Sequence, residues 1–279
     1  MGTAQVRLCP PYKSAGNRVA TGGASCHIAL MTATAKTAIR PVPSSDIASR
    51  VGAIDWTQAE TDLDAQGCAV LKHLLTPDEC RAITALYPDD ANFRSRVVMG
   101  RHGFGRGEYK YFSYPLPDLI AALRPVLYTR LQGVANRWNE AMGIDIRYPD
   151  RHETFLKRCH EAGQNRPTPL LLQYEAGDYN CLHQDLYGEH VFPLQVAILL
   201  SEPGRDFEGG EFVLTEQRPR MQSRAEVVAL KQGDAVAFAV HHRPVQGTRG
   251  TYRVNLRHGV SRLRSGHRHT VGVIFHDAK

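Results

Sequence analysis

What most limits the fold of this 279-residue chain is a change of period at Pro167. From there to the C-terminus, apolar residues recur in short β-like runs at 169–174, 178–186, 193–201, 210–215, 225–229, 235–240, 253–261 and 268–276. Turn chemistry separates them, including Glu175-Ala-Gly177, Glu208-Gly-Gly210, Gln232-Gly-Asp234 and Ser265-Gly266. Eight short strands after a helical half predict an α+β chain: a jelly-roll or related double sheet, with helices packed on one face.

The helical half is legible from its caps and period. Residues 57–66 read as a helix and Gly67 to Lys72 as a short strand. Thr76-Pro77-Asp78-Glu79 is a capping box with proline at the first helical position. Residues 118–142 give the longest helical pattern, which Pro125 is expected to kink or divide, and a further helix is expected around 150–162. Residues 1–50, rich in Ala, Thr, Ser, Gly and Pro without sustained periodicity, are expected to be a disordered tail. Met31 offers a second start, so the first thirty residues are expected to be absent from the native product. The remainder, 51–279, reads as one domain, with helical support over 51–166 and a β core over 167–279.

Composition removes several classes. At 42% hydrophobic and 22% charged, the chain can fill a core, and it has no bias of the collagen, coiled-coil or wholly disordered kind. No stretch approaches the ~18 apolar residues of a membrane span. The net charge of +6 invites a nucleic-acid reading, but six bases against one acid in residues 1–50 account for +5 of it. Six dispersed cysteines without a CxxC pair read as buried free thiols in a reducing compartment. With no secretory signal visible, the cytoplasm is the default, and no obligate protein partner is evident.

His183 and Asp185 end the second run, two residues apart, so both side chains leave an extended chain on the same side. A distant third histidine would complete the two-His-one-carboxylate triad of non-haem Fe(II). Among 13 histidines such a pair is cheap, with roughly 0.7 matches expected by chance. Support comes from the last two runs, where His258 stands in the seventh and Arg268 opens the eighth. His241, His242, His267, His269 and His276 are alternatives for the third ligand. Arg268 can form a two-pronged pair with a carboxylate inside the barrel, and Thr270 shares its face. His267 and His269 face the other way and read as structural.

On these residues the C-terminal 110 or so positions resemble the double-stranded β-helix core of the 2-oxoglutarate/Fe(II)-dependent oxygenases. The Phe207-Glu-Gly-Gly-Glu-Phe212 hairpin and the spacings resemble the prolyl-hydroxylase branch. The resemblance implies His183, Asp185 and His258 as ligands of Fe(2+). It also implies Arg268 and Thr270 as the site for the C5 carboxylate of 2-oxoglutarate, with O2 as the oxidant. Tyr174 stands where several members of the family keep a tyrosine that hydrogen-bonds the co-substrate. Arg257-His-Gly-Val-Ser and Gly272-Val-Ile-Phe-His-Asp277 resemble a bacterial subgroup labelled nucleic-acid oxygenases, proposed to remove DNA damage by oxidative demethylation. The pattern departs from that of the AlkB-like demethylases, with Leu172 where their asparagine would be.

The expected function is therefore a 2-oxoglutarate-dependent Fe(II) dioxygenase that hydroxylates or demethylates a second substrate, a damaged nucleic-acid base among the candidates. A hydroxylase of a protein side chain or small metabolite is the alternative, and a non-catalytic β-helix binding module a third. Arg101 to Phe112, with four nearby glycines, four aromatic residues and three bases, reads as a mobile loop able to close over a flat anionic substrate, or as a solvated loop running into an edge strand. Seven arginines and no acid lie between Arg243 and Arg268.

Overall fold

The helices assemble first. The computed structural model describes residues 44–186 and 188–279, all within one compact unit that spans Ile39–Lys279. Met31 and residues 1–43 of the expected tail lie outside the described residues. The expected tail boundary at residue 50 falls inside a helix, α1 (Ser44–Gly52), because Ile47 and Val51 supply an apolar stripe that is fully buried. The α2 helix (Trp56–Gln66) starts at Asp55, whose side chain accepts from the Gln58 N–H. It leads into β1 (Cys68–Leu71) and α3 (Pro77–Thr84), where both halves of the Thr76/Glu79 capping box are made.

Three strands then appear in the half read as helical: β2 (Phe93–Val98), β3 (Gly105–Arg106) and β4 (Glu108–Phe112). β4 alternates charged with aromatic residues, a strand signal masked by the glycines around it, and all three are strands because a neighbour pairs with them. Residues 101–112, read as a mobile loop or as a loop running into an edge strand, contain β3 and β4 and pair with their neighbours. Met99–Arg101 forms a 3-10 turn and the Cys181 N–H donates to the Phe104 carbonyl. At Gly105, with φ +128°, an added Cβ would lie 2.4 Å from the Tyr179 carbonyl oxygen, so only glycine permits that approach. α4 (Asp118–Ala141) runs through Pro125 as one undivided helix and buries Leu123, Leu127, Leu131, Val134 and Trp138. α5 (His152–Glu161) closes the helical part.

Ten strands follow, not eight. They are β5 (Leu170–Glu175), β6 (Tyr179–His183), β7 (Leu194–Leu199), β8 (Phe207–Gly209), β9 (Phe212–Gln217), β10 (Arg224–Val228), β11 (Ala235–Ala239), β12 (His242–Gly247), β13 (Gly250–Val260) and β14 (Leu263–Val273). One sheet runs β1-β11-β7-β14-β5-β4-β2, with β8 paired to β14, and the other runs β10-β9-β13-β6-β3, with β12 paired to β13. β12 contains Pro244 and pairs with β13 alone, the edge position proline tolerates. Ser265-Gly266, expected as a turn, lies within β14 opposite β8, where a Cβ on Gly266 would meet the Asp206 carbonyl at 2.0 Å. The helices pack on the first sheet: Ile47, Leu63, Leu127 and Trp138 share one core with Val196, Ile198, Val236 and Val271. Each such side chain contributes about 2 kcal/mol by leaving water. Cys181, expected to be buried, is exposed, whereas Cys68, Cys80 and Cys159 are buried. No helix among the described residues is long and apolar enough to cross a membrane.

Candidate metal centre

Register brings the two histidines together. β6 and β13 pair antiparallel with His183 directly opposite His258, and their ring centroids are 4.2 Å apart. Asp185 follows β6 and turns back between them. One of its oxygens lies 3.5 Å from His183 Nε2 and the other 3.4 Å from His258 Nε2. One ligand atom from each of the three residues lies within 4.8 Å of the other two, and among the described residues this is the one such His/Cys/Asp/Glu cluster. His241, His242, His267, His269 and His276, the other candidates for a third ligand, stand outside it. His267 and His269 alternate with Arg268 along β14, and the His269 ring packs edge-on against Tyr87.

The electrostatics are those of a carboxylate shared by two imidazoles. Burial works to raise the Asp185 pKa, but hydrogen bonds from both histidines outweigh it and hold the carboxyl well below the usual carboxylate range. For His183 burial is again the largest effect and lowers the pKa, but Asp185 reverses the sign and the net shift is upward. His258 is more deeply enclosed and burial wins, so its pKa falls. His183 Nδ1 lies 2.8 Å from the Cys181 carbonyl, and an N–H kept there makes Nε2, once it gives up the proton it donates to Asp185, the nitrogen that can ligate an ion. Three ligands of this type on one side of an ion suit non-haem Fe(II).

The same cavity, about 250 Å³, reaches Arg268, Thr270 and Tyr174. Arg268 is 2% exposed, its Nε and Nη1 donors have no hydrogen-bond partner, and neither does the Thr270 hydroxyl. Burial lowers the Arg268 pKa, offset in part by Tyr174 and Glu211. The guanidinium carbon sits 5.5 Å from the Tyr174 ring centre and 5.9 Å from that of Phe207, which restricts its orientation. A buried guanidinium with free donors beside a free hydroxyl is the donor set a carboxylate completes. The structure thus brings all six expected site residues to one cavity.

Sequence reasoning missed Gln195 and placed Tyr109 and Tyr111 in a loop. The two tyrosines stand on β4 opposite Leu172 and Leu170 and extend the cavity wall beyond the barrel. The signal for Gln195 was present: it is the one polar residue in the apolar run Leu194–Leu199.

Comparisons with known proteins bear on the family and the fold. Residues 107–278 match the sequence profile of a family of oxygenases described as catalysing oxidative methylation of damaged DNA. Two uncharacterized proteins of Mycobacterium tuberculosis, from strains CDC 1551 and H37Rv, are each 47% identical over 182 residues, covering 64% of this chain and 78% of their own. A prolyl hydroxylase from Trichoplax adhaerens, solved with a hypoxia inducible factor oxygen degradation domain peptide, superposes with a TM-score of 0.50 at 13% identity, over 82% of this chain and 90% of that one. A Pseudomonas putida prolyl-4-hydroxylase gives a TM-score of 0.49 at 14% identity, over 80% and 99%.

Proposed function

Since the chain belongs to the oxygenase family matched by its residues 107–278, and folds as a double-stranded β-helix, we propose that it is a non-haem Fe(II)- and 2-oxoglutarate-dependent dioxygenase acting on a methylated nucleic-acid base. The observation that carries the reading is the His183/Asp185/His258 cluster in one cavity with the unpaired, buried donors of Arg268. His183, Asp185 and His258 would hold the ion, and Arg268 with Thr270 would hold the far carboxylate of the co-substrate. Bound there, ferrous iron and 2-oxoglutarate supply the oxidation, in which one oxygen atom of O2 goes to succinate, the other to the substrate, and CO2 is released.

This chain's own residues orient and enclose. The Cys181 carbonyl fixes the His183 ring, and Tyr174 and Phe207 flank the guanidinium so that its fork is pre-aimed. Leu170, Leu172, Tyr109 and Tyr111 line an apolar wall that keeps water from the reacting centre. The family's association with damaged DNA and this aromatic wall support a base as substrate. Hydroxylation of an N-methyl carbon gives a hemiaminal that loses formaldehyde, so the net result is removal of the methyl group.

The test is anaerobic loading with Fe(II) and 2-oxoglutarate, followed by oxygen and a methylated oligonucleotide, with succinate and formaldehyde measured. Equimolar succinate and formaldehyde are expected from the wild type, and no succinate from His183→Ala or Asp185→Ala. Succinate formation unchanged in either variant would contradict the assignment.

A further inference from the structure

β7 places one more polar group in the cavity than the co-substrate needs. Gln195 is 4% exposed and its Nε2 has no hydrogen-bond partner, although its neighbours along the strand are all apolar. An unpaired buried amide is destabilising, so the side chain is a burden on the fold until something bonds to it. Register separates Gln195 from the site of the far carboxylate. Leu199 is the cross-strand neighbour of Thr270, and Gln195 lies four residues along the same strand, about 13 Å away at the rise of a β-strand. Arg268 and Thr270, with the far carboxylate they would hold, are therefore too distant to be that partner. At Gln195's own level stands its partner Phe238, whose ring centre is 4.6 Å from that of His258. Gln195 therefore borders the triad on the side away from Arg268.

The space on that side has a definite character. Gly272 and Ala197 are cross-strand partners, so the wall between Leu170 and Val236 carries almost no side chain. Tyr111, opposite Leu170 at the level of Gly272, offers an aromatic surface to a flat group, braced by Tyr109, which stands at the level of Thr270 with its ring nearly perpendicular at 5.4 Å. Among the described lining residues the only fixed charges are Asp185 and Arg268, each already engaged in the reading above. A substrate group carrying charge would be buried without a counter-charge, which is unfavourable, whereas an uncharged ring would not.

We propose that Gln195 is the specificity residue of this site, that it hydrogen-bonds the polar edge of an uncharged ring, and that the cavity rejects rings carrying positive charge. The inference rests on the oxygenase reading and narrows its substrate class. It is tested by binding, without turnover. The full-length protein is loaded anaerobically with Mn(II) and 2-oxoglutarate. Fluorescence anisotropy then follows two short single strands that differ at one adenine, methylated either on the exocyclic N6, which is neutral, or on ring N1, which is cationic. The neutral strand should bind the wild type at least about tenfold more tightly, and Gln195→Leu should weaken that strand about tenfold while barely moving the other. Gln195→Glu should turn the preference towards the cationic strand, a reversal no merely structural role would produce. Equal or tighter binding of the cationic strand by the wild type would overturn the inference while leaving the dioxygenase reading intact. A loss of 2-oxoglutarate affinity in step with substrate affinity in Gln195→Leu would likewise overturn it. If neither methylated strand binds better than the unmodified one, the nucleobase reading falls and this inference with it.

Discussion

Replacing Arg124 by methionine should destabilise the fold severely, and removing its partner as well should restore part of the loss. Arg124 is 2% exposed in the middle of α4, and its guanidinium organises the chain just beyond β14. Nε donates to the Ile274 carbonyl at 2.8 Å, Nη1 to the Tyr114 hydroxyl at 3.0 Å, and Nη2 to the His276 carbonyl at 3.0 Å and to Asp277 at 2.7 Å. Asp277 is fully buried and also meets the Tyr114 hydroxyl at 2.9 Å and His160 Nε2 at 2.8 Å. Arg124→Met leaves that carboxylate without its guanidinium and the Ile274 carbonyl without a donor, while the His276 carbonyl keeps only the Thr168 hydroxyl. Stranding one member of a buried pair costs about 3–5 kcal/mol, and the lost carbonyl bonds bring the total towards 6. For a folded unit of this size that lowers the melting temperature by roughly 10–20 °C. Arg124→Met/Asp277→Leu removes the stranded charge and should recover at least about 2 kcal/mol relative to the sum of the single changes. Urea unfolding at constant m-value measures both quantities. A single-variant loss below about 1 kcal/mol, or strictly additive losses in the double variant, would refute the reasoning.

Arg268→Lys keeps the charge but not the planar fork, so titration should show 2-oxoglutarate affinity falling about tenfold to a hundredfold and metal affinity much less. Equal co-substrate affinity in variant and wild type would remove Arg268 from the site. His152 and His276 are buried with their pKa values pushed down to about 4, chiefly by burial. The unfolded chain takes up a proton at each near pH 6.5 while the folded chain does not, so stability should fall as pH drops from about 6.5 to 4, by up to about 2.7 kcal/mol per pH unit for the pair. Thermal melts across that range test this, and His152→Gln should show a shallower slope. An unchanged slope in that variant would contradict the argument.

The β core was legible in the sequence because its strands are apolar runs punctuated by glycine turns, and all eight expected runs are present. β8 escaped notice because three residues are too few to show a period, and β12 because Arg243-Pro244 breaks its pattern. β2 and β4 each carry their charges on one face (Arg94 and Arg96; Glu108 and Lys110), a short pattern masked by the surrounding glycines, and take their strand conformation from pairing with each other and, for β4, with β5. The six site residues were visible as spacings, but their convergence depends on the His183–His258 register, a tertiary property. Gln195 needed the strand's orientation as well, since a lone polar residue in an apolar run has no address until the inward face is known.

Iron binding by the His183/Asp185/His258 cluster is directly measurable. An anaerobic titration of the wild-type protein with Fe(II) in the presence of 2-oxoglutarate, followed through the metal-to-co-substrate absorption band, should saturate at one ferrous ion per chain, and the band should be lost in His258→Ala. A band of undiminished intensity and affinity in His258→Ala would mean that this imidazole does not hold the metal.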